Sequence, residues 1–331
     1  MPSRIASSSA ALAVVAVVAS ACGSSQVGRP RDPTGVAPPP TATTGALVDV
    51  DRTKPRTIYA LSDVHGGYDR MAALLAGTGV TNGVPANPGA MTWAAGDAVL
   101  VVTGDLIDKG PQPIEVIDAL RALEASAAAA GGRVVVLLGN HEAEFFVNPT
   151  NKKADGSDGV DRELSTLHVD PYVVAAGSEA RGQWLLARPF GARVGTWFFS
   201  HGGSTHGRTF AELDALLRAE LVVHPTFDSP EIVGDGSLLE ERSWYGDPAT
   251  AQANAKALGV KHIVFGHDPN ALGPRGVIAF AQNNTLFRID CGMSPDVDDS
   301  TGCVLRVRHD GNVDVIDELH ASGPPHEIFR E

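Results

Sequence analysis

Five short motifs in this sequence carry residue types that can bind metal ions. They are SDVHGG at 62–67, TGDLIDKG at 103–110, LLGNHE at 137–142, SHGG at 200–203 and GHD at 266–268. Each motif continues a short apolar run, and such runs bounded by glycine and polar residues predict buried strands. Open α/β sheets bind their ligands at the carboxyl ends of adjacent strands. The five motifs are therefore predicted to meet at one site.

Together the motifs supply carboxylate and amide oxygens and imidazole nitrogens. The candidate metal ligands are Asp63, His65, Asp105, Asn140, His201 and His267. Asp63 and His65 are two residues apart, which places both side chains on one side of an extended segment. The glycine before Asp105 lets the backbone approach closely, so that this carboxylate can reach between two ions. Two divalent ions about 3.5–4 Å apart with a shared ligand are typical of two-metal hydrolases. The histidines favour Mn, Fe or Zn over Mg.

The elements around the first three motifs alternate between strand and helix. Helical spacing of apolar residues predicts helices at 68–75 and 113–130, between strands at 58–61, 98–102 and 134–138. This order predicts parallel strands with helical crossovers. The polar segment 148–161 is predicted to be a loop-built lid. From Lys261 to the end strands follow one another with tight turns, which predicts a second sheet.

The N-terminal residues are predicted to lie outside the fold. Residues 1–22 have Arg4, an apolar run at 10–19 that is too short to span a bilayer, and a terminal Ala-Ser-Ala-Cys. This segment resembles a bacterial lipoprotein signal peptide with Cys22 as the lipidated residue; simple secretion is the alternative. Residues 23–55 are predicted to be a disordered tether and 56–331 the folded domain. The predicted location is extracytoplasmic, with membrane contact only through the lipid at Cys22.

The net charge limits the possible partners of the protein, and the predicted export bears on the state of its cysteines. The formal net charge of −13 argues against a nucleic-acid partner, which requires a basic surface. Cys291 and Cys303 form an even pair separated by a polar loop. In an exported protein such a pair favours a disulfide, and two unpaired buried thiols are the alternative.

The motifs in this order resemble the calcineurin-like metallophosphoesterase superfamily, whose pattern is DxH, GDxxD, GNH and two isolated histidine motifs. GNHE, HGG and GDLIDKG are more narrowly similar to the phosphoprotein phosphatase (PPP) family, and closest to its bacterial Shewanella-like branch. The resemblance covers residues 57–307, including SWYGDP at 243–248 and FRIDCGMS at 287–294. It implies an α/β fold, a four-layer α/β/β/α sandwich with mixed central sheets.

The resemblance also implies roles for individual residues. Asp63, His65 and Asp105 would bind the first metal, and Asp105, Asn140, His201 and His267 the second. His141 matches the proposed general acid, and Asp108 matches the carboxylate that pairs with it. The implied reaction is in-line attack on phosphorus by a hydroxide that bridges the two metals. Asn140 and Lys109 would contact the substrate.

One position departs from the family pattern and leaves the substrate class open. Lys109 replaces the family's phosphate-binding arginine, and lysine cannot clamp a phosphate bidentately. Arg162, Arg242 and Arg275 are equal candidates for a second phosphate-binding arginine. The sequence predicts a phosphomonoester hydrolase acting on phosphorylated Ser, Thr or Tyr in peptides. The alternatives are a nucleotide phosphatase or symmetric dinucleoside-polyphosphate hydrolase acting on a small phosphoester, and a catalytically inert surface binding lipoprotein.

Overall fold

The computed structural model describes residues 46–50, 56–157, 159–294 and 300–331. The strands are β1 (Leu47–Val50), β2 (Ile58–Leu61), β3 (Val99–Val102), β4 (Arg133–Val136), β5 (Gly191–Val194), β6 (Trp197–Ser200), β7 (His262–Phe265), β8 (Ala279–Ala281), β9 (Leu286–Arg288), β10 (Val304–Asp310), β11 (Val313–Leu319) and β12 (His326–Arg330). The helices are α1 (Tyr68–Gly77), α2 (Pro113–Ala129), α3 (Asn140–Val147), α4 (Val160–Thr166), α5 (Pro171–Ala175), α6 (Ala180–Leu186), α7 (Phe210–Val223), α8 (Pro230–Val233) and α9 (Pro248–Leu258). None of the helices in these ranges combines the length and the apolar character needed to cross a membrane.

The first sheet has the strand order β12-β11-β10-β2-β3-β4. Its strands β2, β3 and β4 are parallel, and the predicted crossover helices α1 and α2 connect them. Leu61 pairs with Val102, and Val102 pairs with Val136, so the three strands end level with one another. The motifs that follow these strands therefore begin at the same edge of the sheet.

The second sheet has the order β1-β5-β6-β7-β9-β8. Strands β6 and β7 are parallel, whereas β5 and β6 form an antiparallel pair. Both sheets are thus mixed, as predicted.

The two sheets pack face to face with helices on their outer faces. Ala60 and Val101 of the first sheet share one buried apolar cluster with Phe199 and Val264 of the second. The residues next to these four in each strand point to the outer face of their sheet, because successive side chains of a strand alternate between its two faces. Leu61 and Val102 accordingly pack with residues of α1 and α2, and Phe198 and Ile263 with residues of α7 and α9. The prediction of a four-layer α/β/β/α sandwich is confirmed.

Residues 47–50 correct the predicted domain boundary. They were assigned to the tether but form β1, which pairs in parallel with β5. Leu47, Val48 and Val50 are buried, and their burial stabilises β1 at the edge of the second sheet. This stabilisation holds although the preceding sequence is rich in Pro and Thr. The predicted signal peptide, Cys22 and the rest of the tether lie outside the described residues.

The prediction for the C-terminal strands was wrong in one respect. They do not form a sheet of their own: β7, β8 and β9 belong to the second sheet, and β10, β11 and β12 extend the first. β10 pairs with β2 near the start of the domain. The apolar spacing identified strands but contained no information about their partners. A disulfide joins Cys291 to Cys303, as predicted.

Candidate metal centre

The candidate ligands come together where the carboxyl ends of the two sheets meet. Asp63, Asp105 and Asn140 follow β2, β3 and β4, whereas His201 and His267 follow β6 and β7. The loops of the two sheets hold one another through hydrogen bonds. His201 Nδ1 lies 2.8 Å from the Thr103 carbonyl oxygen, and the His267 amide donates to Asp63 Oδ2 at 3.0 Å.

Several of these residues have left-handed backbone conformations. The φ angles are 52° at Asp63, 45° at His65, 52° at Asp105 and 66° at His267. Non-glycine residues adopt this region at a cost, and such residues cluster at functional sites. The expectation that Asp63 and His65 lie on an extended segment was therefore wrong. The chain turns sharply after β2, and the turn brings His65 Nε2 to 3.8 Å from Asp63 Oδ1.

Glycines permit the close approach of these loops. A Cβ atom on Gly104 would lie 2.3 Å from the Gly139 amide nitrogen, and one on Gly266 would lie 1.9 Å from Ser62 Oγ. Both distances are shorter than any van der Waals contact. Gly104 also has a φ of 97°, which side-chain-bearing residues rarely adopt. These positions require glycine for the metal centre to form.

Two groups of buried side chains could each hold a metal ion. The first contains His65, Asp105 and His141, and the second contains Asp105, His201 and His267, with all potential ligand atoms of a group within 4.8 Å of one another. Asp105 belongs to both groups, as expected for a shared ligand. Asn140 Oδ1 adds an oxygen to the second group, 3.0 Å from His201 Nε2 and 3.1 Å from His267 Nδ1.

Backbone carbonyls fix the tautomers of two of these histidines. The Nδ1 atoms of His65 and His201 face the carbonyl oxygens of Ile107 and Thr103 at 3.1 and 2.8 Å. A carbonyl can only accept, so each Nδ1 carries the hydrogen. In the neutral ring Nε2 then has a free lone pair, and both Nε2 atoms face Asp105, at 3.4 and 3.2 Å. Histidine ligands of metals are commonly oriented in this way.

The charges at the centre favour a bound cation. Burial opposes protonation of His201, but the nearby Asp105 and Asp63 carboxylates outweigh it and raise the pKa of His201 to about 10. Burial and the neighbouring His201 lower the pKa of His267 to about 3. Burial disfavours the charged form of Asp105, yet the surrounding histidines hold its pKa well below the usual range. Buried carboxylates thus attract positive charge to this position, and the donor set fits divalent metals.

His141 and Asp108 form a hydrogen-bonded pair beside the centre. His141 Nδ1 is 2.8 Å from Asp108 Oδ2, and both side chains are buried. The other oxygen of Asp108 accepts a hydrogen bond from the Val160 amide at 3.0 Å. His141 Nε2 points toward the metal groups, 3.9 Å from Asp105 Oδ2. The structure therefore brings together the two residues predicted as a catalytic pair.

Glu142 also belongs to the site, although no role was predicted for it from the sequence. Its side chain is fully buried, and each carboxylate oxygen accepts two backbone hydrogen bonds. Oε2 accepts from Gly139 and Asp105 at 2.8 and 3.0 Å, and Oε1 accepts from Leu106 and Ile107 at 2.7 and 3.2 Å. Glu142 thereby holds the GDLID turn against the first turn of α3. Its position in the GNHE motif, directly after Asn140 and His141, was the feature of the sequence that could have indicated this role.

The structure separates the candidate phosphate-binding cations. Lys109 Nζ lies 3.0 Å from His65 Nε2, and Arg242 Nε lies 2.9 Å from His267 Nε2. Arg275 instead donates to Asn270 Oδ1 at 2.9 Å. Arg162 lines a separate cavity. Of the three arginines, Arg242 reaches the metal centre.

Two buried groups of histidine and aspartate share one carboxylate at the carboxyl edge of two mixed sheets, with a His–Asp pair beside them. This arrangement defines the class of metallohydrolases. Residues 56–271 match the model of the calcineurin-like phosphoesterase family, and the chain belongs to that family. It is accordingly a hydrolase that acts on phosphoric ester bonds.

The similar proteins include phosphatases, as the motifs predicted. An uncharacterized protein of Schizosaccharomyces pombe is 28% identical over 268 residues, which cover 72% of this chain and 74% of the relative. Shewanella-like protein phosphatase 2 of Arabidopsis thaliana is 21% identical over 314 residues, 80% of this chain and 78% of its own. The symmetrical bis(5'-nucleosyl)-tetraphosphatase of Cronobacter sakazakii is 30% identical over 131 residues, 40% of this chain and 36% of its own.

A solved structure shares the fold. The cold-active protein-tyrosine phosphatase of a psychrophilic Shewanella species superposes with a TM-score of 0.67 at 21% sequence identity. The superposition covers 86% of this chain and 82% of that one. The predicted similarity to the Shewanella-like phosphatases is confirmed, and with it the fold class.

Proposed function

We propose that this protein is a phosphomonoester hydrolase that removes phosphate from phosphorylated Ser, Thr or Tyr residues in peptides with two divalent ions. The observation that carries the proposal is the His141–Asp108 pair beside two metal-binding groups that share Asp105. The names of the Shewanella-like protein phosphatase of Arabidopsis thaliana and of the structurally similar protein-tyrosine phosphatase support the peptide substrate.

The proposed metal ligands follow the family pattern, which places Asp63 rather than His141 in the first group; Asp63 Oδ1 lies 3.8 Å from His65 Nε2. Asp63, His65 and Asp105 would hold one ion, and Asp105, Asn140, His201 and His267 the other. His141 also lies within the first group, but its Nδ1 bonds Asp108, so we assign it to proton transfer. When bound, two divalent ions supply Lewis acidity and neutralise the charge that develops on the phosphoryl oxygens. Mn, Fe or Zn suit these ligands best.

The protein's own residues bind the phosphate and move the proton. Lys109 and Arg242 are cations beside the centre, and they would neutralise phosphoryl oxygens. Asn140, whose Oδ1 lies 3.1 Å from His267 Nδ1, would add a polar contact. His141 would donate the proton on Nε2 to the leaving oxygen, and Asp108 would stabilise the charged imidazole and keep the ring oriented.

The direct test compares a monoester with a diester. The purified full-length protein is stripped with a chelator and reloaded with Mn, Zn, Fe or Mg, and its turnover of p-nitrophenyl phosphate and bis-p-nitrophenyl phosphate is measured. We expect metal-dependent cleavage of the monoester. Preference for the diester would contradict monoester specificity, and turnover by the stripped protein would contradict the metal requirement.

The shared ligand is tested by Asp105→Asn. Because Asp105 belongs to both groups, we expect the variant to lose both ions, as measured by elemental analysis of the purified protein. A metal content equal to that of the wild type would contradict the bridging role.

Two observations favour hydrolysis of nucleotides as a second candidate function. The relative that matches over 131 residues is named as a symmetrical dinucleoside tetraphosphatase, and Lys109 replaces the family's arginine. The values of kcat/KM for phosphopeptides, mononucleotides and diadenosine tetraphosphate decide between the candidates. A higher value for the nucleotides would replace the peptide assignment.

We also propose an extracytoplasmic location. The disulfide between Cys291 and Cys303 supports it, since such bonds persist in oxidising compartments. Fractionation of the source cells followed by detection of the protein in the cytosol would contradict it.

A further inference from the structure

A cavity beside the metal centre has no role in the mechanism described above. Its volume is about 260 Å³, and it opens to solvent. Gly110 and Pro111 line one side, and Ser157 and Gly159 line the other together with Arg162, Glu163 and Thr166 of α4. The cavity thus lies between the turn that carries Lys109 and the segment that covers the His141–Asp108 pair.

The cavity lies on the leaving-group side of the reaction. Val160, at the start of α4, donates to Asp108 Oδ1 at 3.0 Å, and Asp108 Oδ2 is 2.8 Å from His141 Nδ1. One wall, Gly110 and Pro111, follows Asp108 directly in the chain, and the other flanks Val160, which contacts Asp108. Since His141 would deliver its proton to the leaving oxygen, the part of the substrate that carries this oxygen extends past His141 toward these walls.

The cavity contains a positive charge, the guanidinium of Arg162. Arg162 lines it with an exposed side chain, and in the described part of the chain its guanidinium has no ion-pair or hydrogen-bond partner. Glu163 also lines the cavity, but its carboxylate is engaged. Glu163 Oε2 accepts from the Ile114 amide at 2.8 Å, and the side chain shares a hydrogen bond with Glu115.

The lining indicates which anion the cavity fits. No aromatic side chain lines the cavity as described, so it lacks the stacking surface that proteins use for nucleobases. A guanidinium pairs with a carboxylate through two parallel hydrogen bonds, and the serine, threonine and glycine residues of the lining add polar groups. These features fit the side chain of an acidic residue.

We propose that the Arg162 cavity binds an Asp or Glu residue of the substrate peptide, close in sequence to the phosphorylated residue. This proposal rests on the proposed function, because it requires that the substrate is a peptide. It makes Arg162 a residue that determines sequence specificity and takes no part in bond cleavage.

The test uses matched phosphopeptides and a small substrate that carries no acidic residue. KM and kcat are measured for peptides with Glu, Ala or Lys beside the phosphorylated residue, and for p-nitrophenyl phosphate. We expect the wild type to prefer the Glu peptide. Arg162→Ala is expected to raise KM for that peptide about tenfold, as loss of 1.4 kcal/mol of binding would, and to leave kcat and p-nitrophenyl phosphate turnover unchanged. Arg162→Glu is expected to prefer the Lys peptide.

The controls separate this proposal from the proposed function. Arg218→Ala removes an exposed arginine of α7 and should leave every value unchanged. If the wild type cleaves all peptides equally and Arg162→Ala has no effect, the cavity proposal fails while the phosphatase assignment stands. Cleavage of nucleotides but of no phosphopeptide refutes the peptide function itself. A larger effect of Arg162→Ala on diadenosine tetraphosphate than on the Glu peptide would assign the cavity to a second phosphate and overturn the proposal.

Discussion

At the scale of single residues, the Asp105 carboxylate lies between two sets of imidazoles, 3.4 Å from His65 Nε2 and 3.2 Å from His201 Nε2. Its position depends on backbone contacts around it. The His141 amide donates to Asp105 Oδ1 at 3.1 Å, and Glu142 accepts from the Asp105 amide. The proposed bridging residue is therefore held by the two residues that follow Asn140, so a substitution there acts on metal binding, on proton transfer or on both.

The general-acid role is tested by His141→Asn. We expect the variant to retain its metals, because His141 is not among the proposed ligands. Its kcat for phenyl phosphate should fall about 10²–10⁴-fold, the usual contribution of a general acid. The loss should be smaller for p-nitrophenyl phosphate, whose leaving group needs little protonation. Steady-state kinetics with both esters and a metal analysis check this. Full activity on phenyl phosphate would contradict the role.

Glu142→Gln tests the support of the centre. Each carboxylate oxygen accepts two backbone hydrogen bonds, so an amide NH₂ in either orientation would face two N–H donors. We expect stability to fall by about 2–3 kcal/mol, the cost of leaving buried donors unsatisfied, and metal affinity to fall as the Asp105 turn shifts. Denaturant unfolding and calorimetric metal titration measure both.

Glu144→Gln is the matched control on the same helix. Glu144 is only partly buried and accepts from Asn140 Nδ2, which a glutamine can still do. Metal affinity equal to that of the wild type in Glu142→Gln would show that Glu142 supports folding alone.

At the scale of elements, the segment predicted to be a lid is fastened to the helices beside it. Its residues 148–157 form turns and bends, and α4 begins at Val160, inside the range predicted as loop. Ala154 and Val160 are buried, and Lys153 pairs with Glu144 of α3 at 2.5 Å. α4 in turn contacts the start of α2, because Glu163 accepts from the Ile114 amide. The segment forms a fixed wall beside the metal centre.

The contact between α4 and α2 predicts a pH dependence of stability. Burial, then the hydrogen bond and charge of Glu115, raise the pKa of Glu163 from its ordinary value of 4.5 to about 8, while the charge of Arg181 opposes the shift. The folded protein therefore binds this proton more tightly than the unfolded chain. The contribution of the proton to stability is complete below a pH of about 4.5 and is lost as the pH rises through about 8.

We expect Glu163→Gln to flatten the decline of stability between about pH 5 and pH 8, because the amide does not titrate. Urea unfolding at several pH values measures this slope. Glu231→Gln, at a half-buried glutamate of α8 that pairs with Arg208, is the control and should keep the slope of the wild type. An unchanged slope in Glu163→Gln would contradict the assignment.

At the scale of the whole molecule, the metal centre is divided between two sheets, so their packing decides its geometry. The disulfide bears on this packing. Cys291 follows β9 of the second sheet and Cys303 precedes β10 of the first, which makes the bond a covalent link between the sheets. It also borders the FRIDCGMS segment, in which Ser294 Oγ donates to the Lys109 carbonyl.

Removal of the disulfide should lower the free energy of unfolding. The cysteines are 12 residues apart, and closing a loop of about this size stabilises a protein by about 3 kcal/mol. We expect a loss of this order in Cys291→Ala/Cys303→Ala, as measured by urea unfolding. Dithiothreitol should destabilise the wild type and leave the double variant unchanged. Equal stability of the wild type with and without the reductant, after confirmed reduction, would contradict the prediction.

Much of the fold could be predicted from the local spacing of apolar and polar residues. The strands that precede the five motifs and the crossover helices α1 and α2 follow from the spacing of apolar residues over short windows. Helix α3 was missed because Asn140 and His141, its first residues, read as a loop motif. The strand β1 was missed because its four residues adjoin a Pro- and Thr-rich segment. In both places the neighbouring residues obscured a short element that tertiary packing stabilises.

The sequence by itself determined which residue types follow each strand, and so the donor set, the His–Asp pair and the family. Each motif is a run of consecutive residues that can be recognised without its partners, and the order of the motifs gave the resemblance that implied the His141–Asp108 pair. Only the tertiary structure decided that His201 and His267 approach from a second sheet, that Arg242 is the arginine beside them and that Glu142 holds the Asp105 turn. Each of these depends on contacts between residues far apart in the chain. The free energy of packing selects such contacts, and no local spacing encodes them.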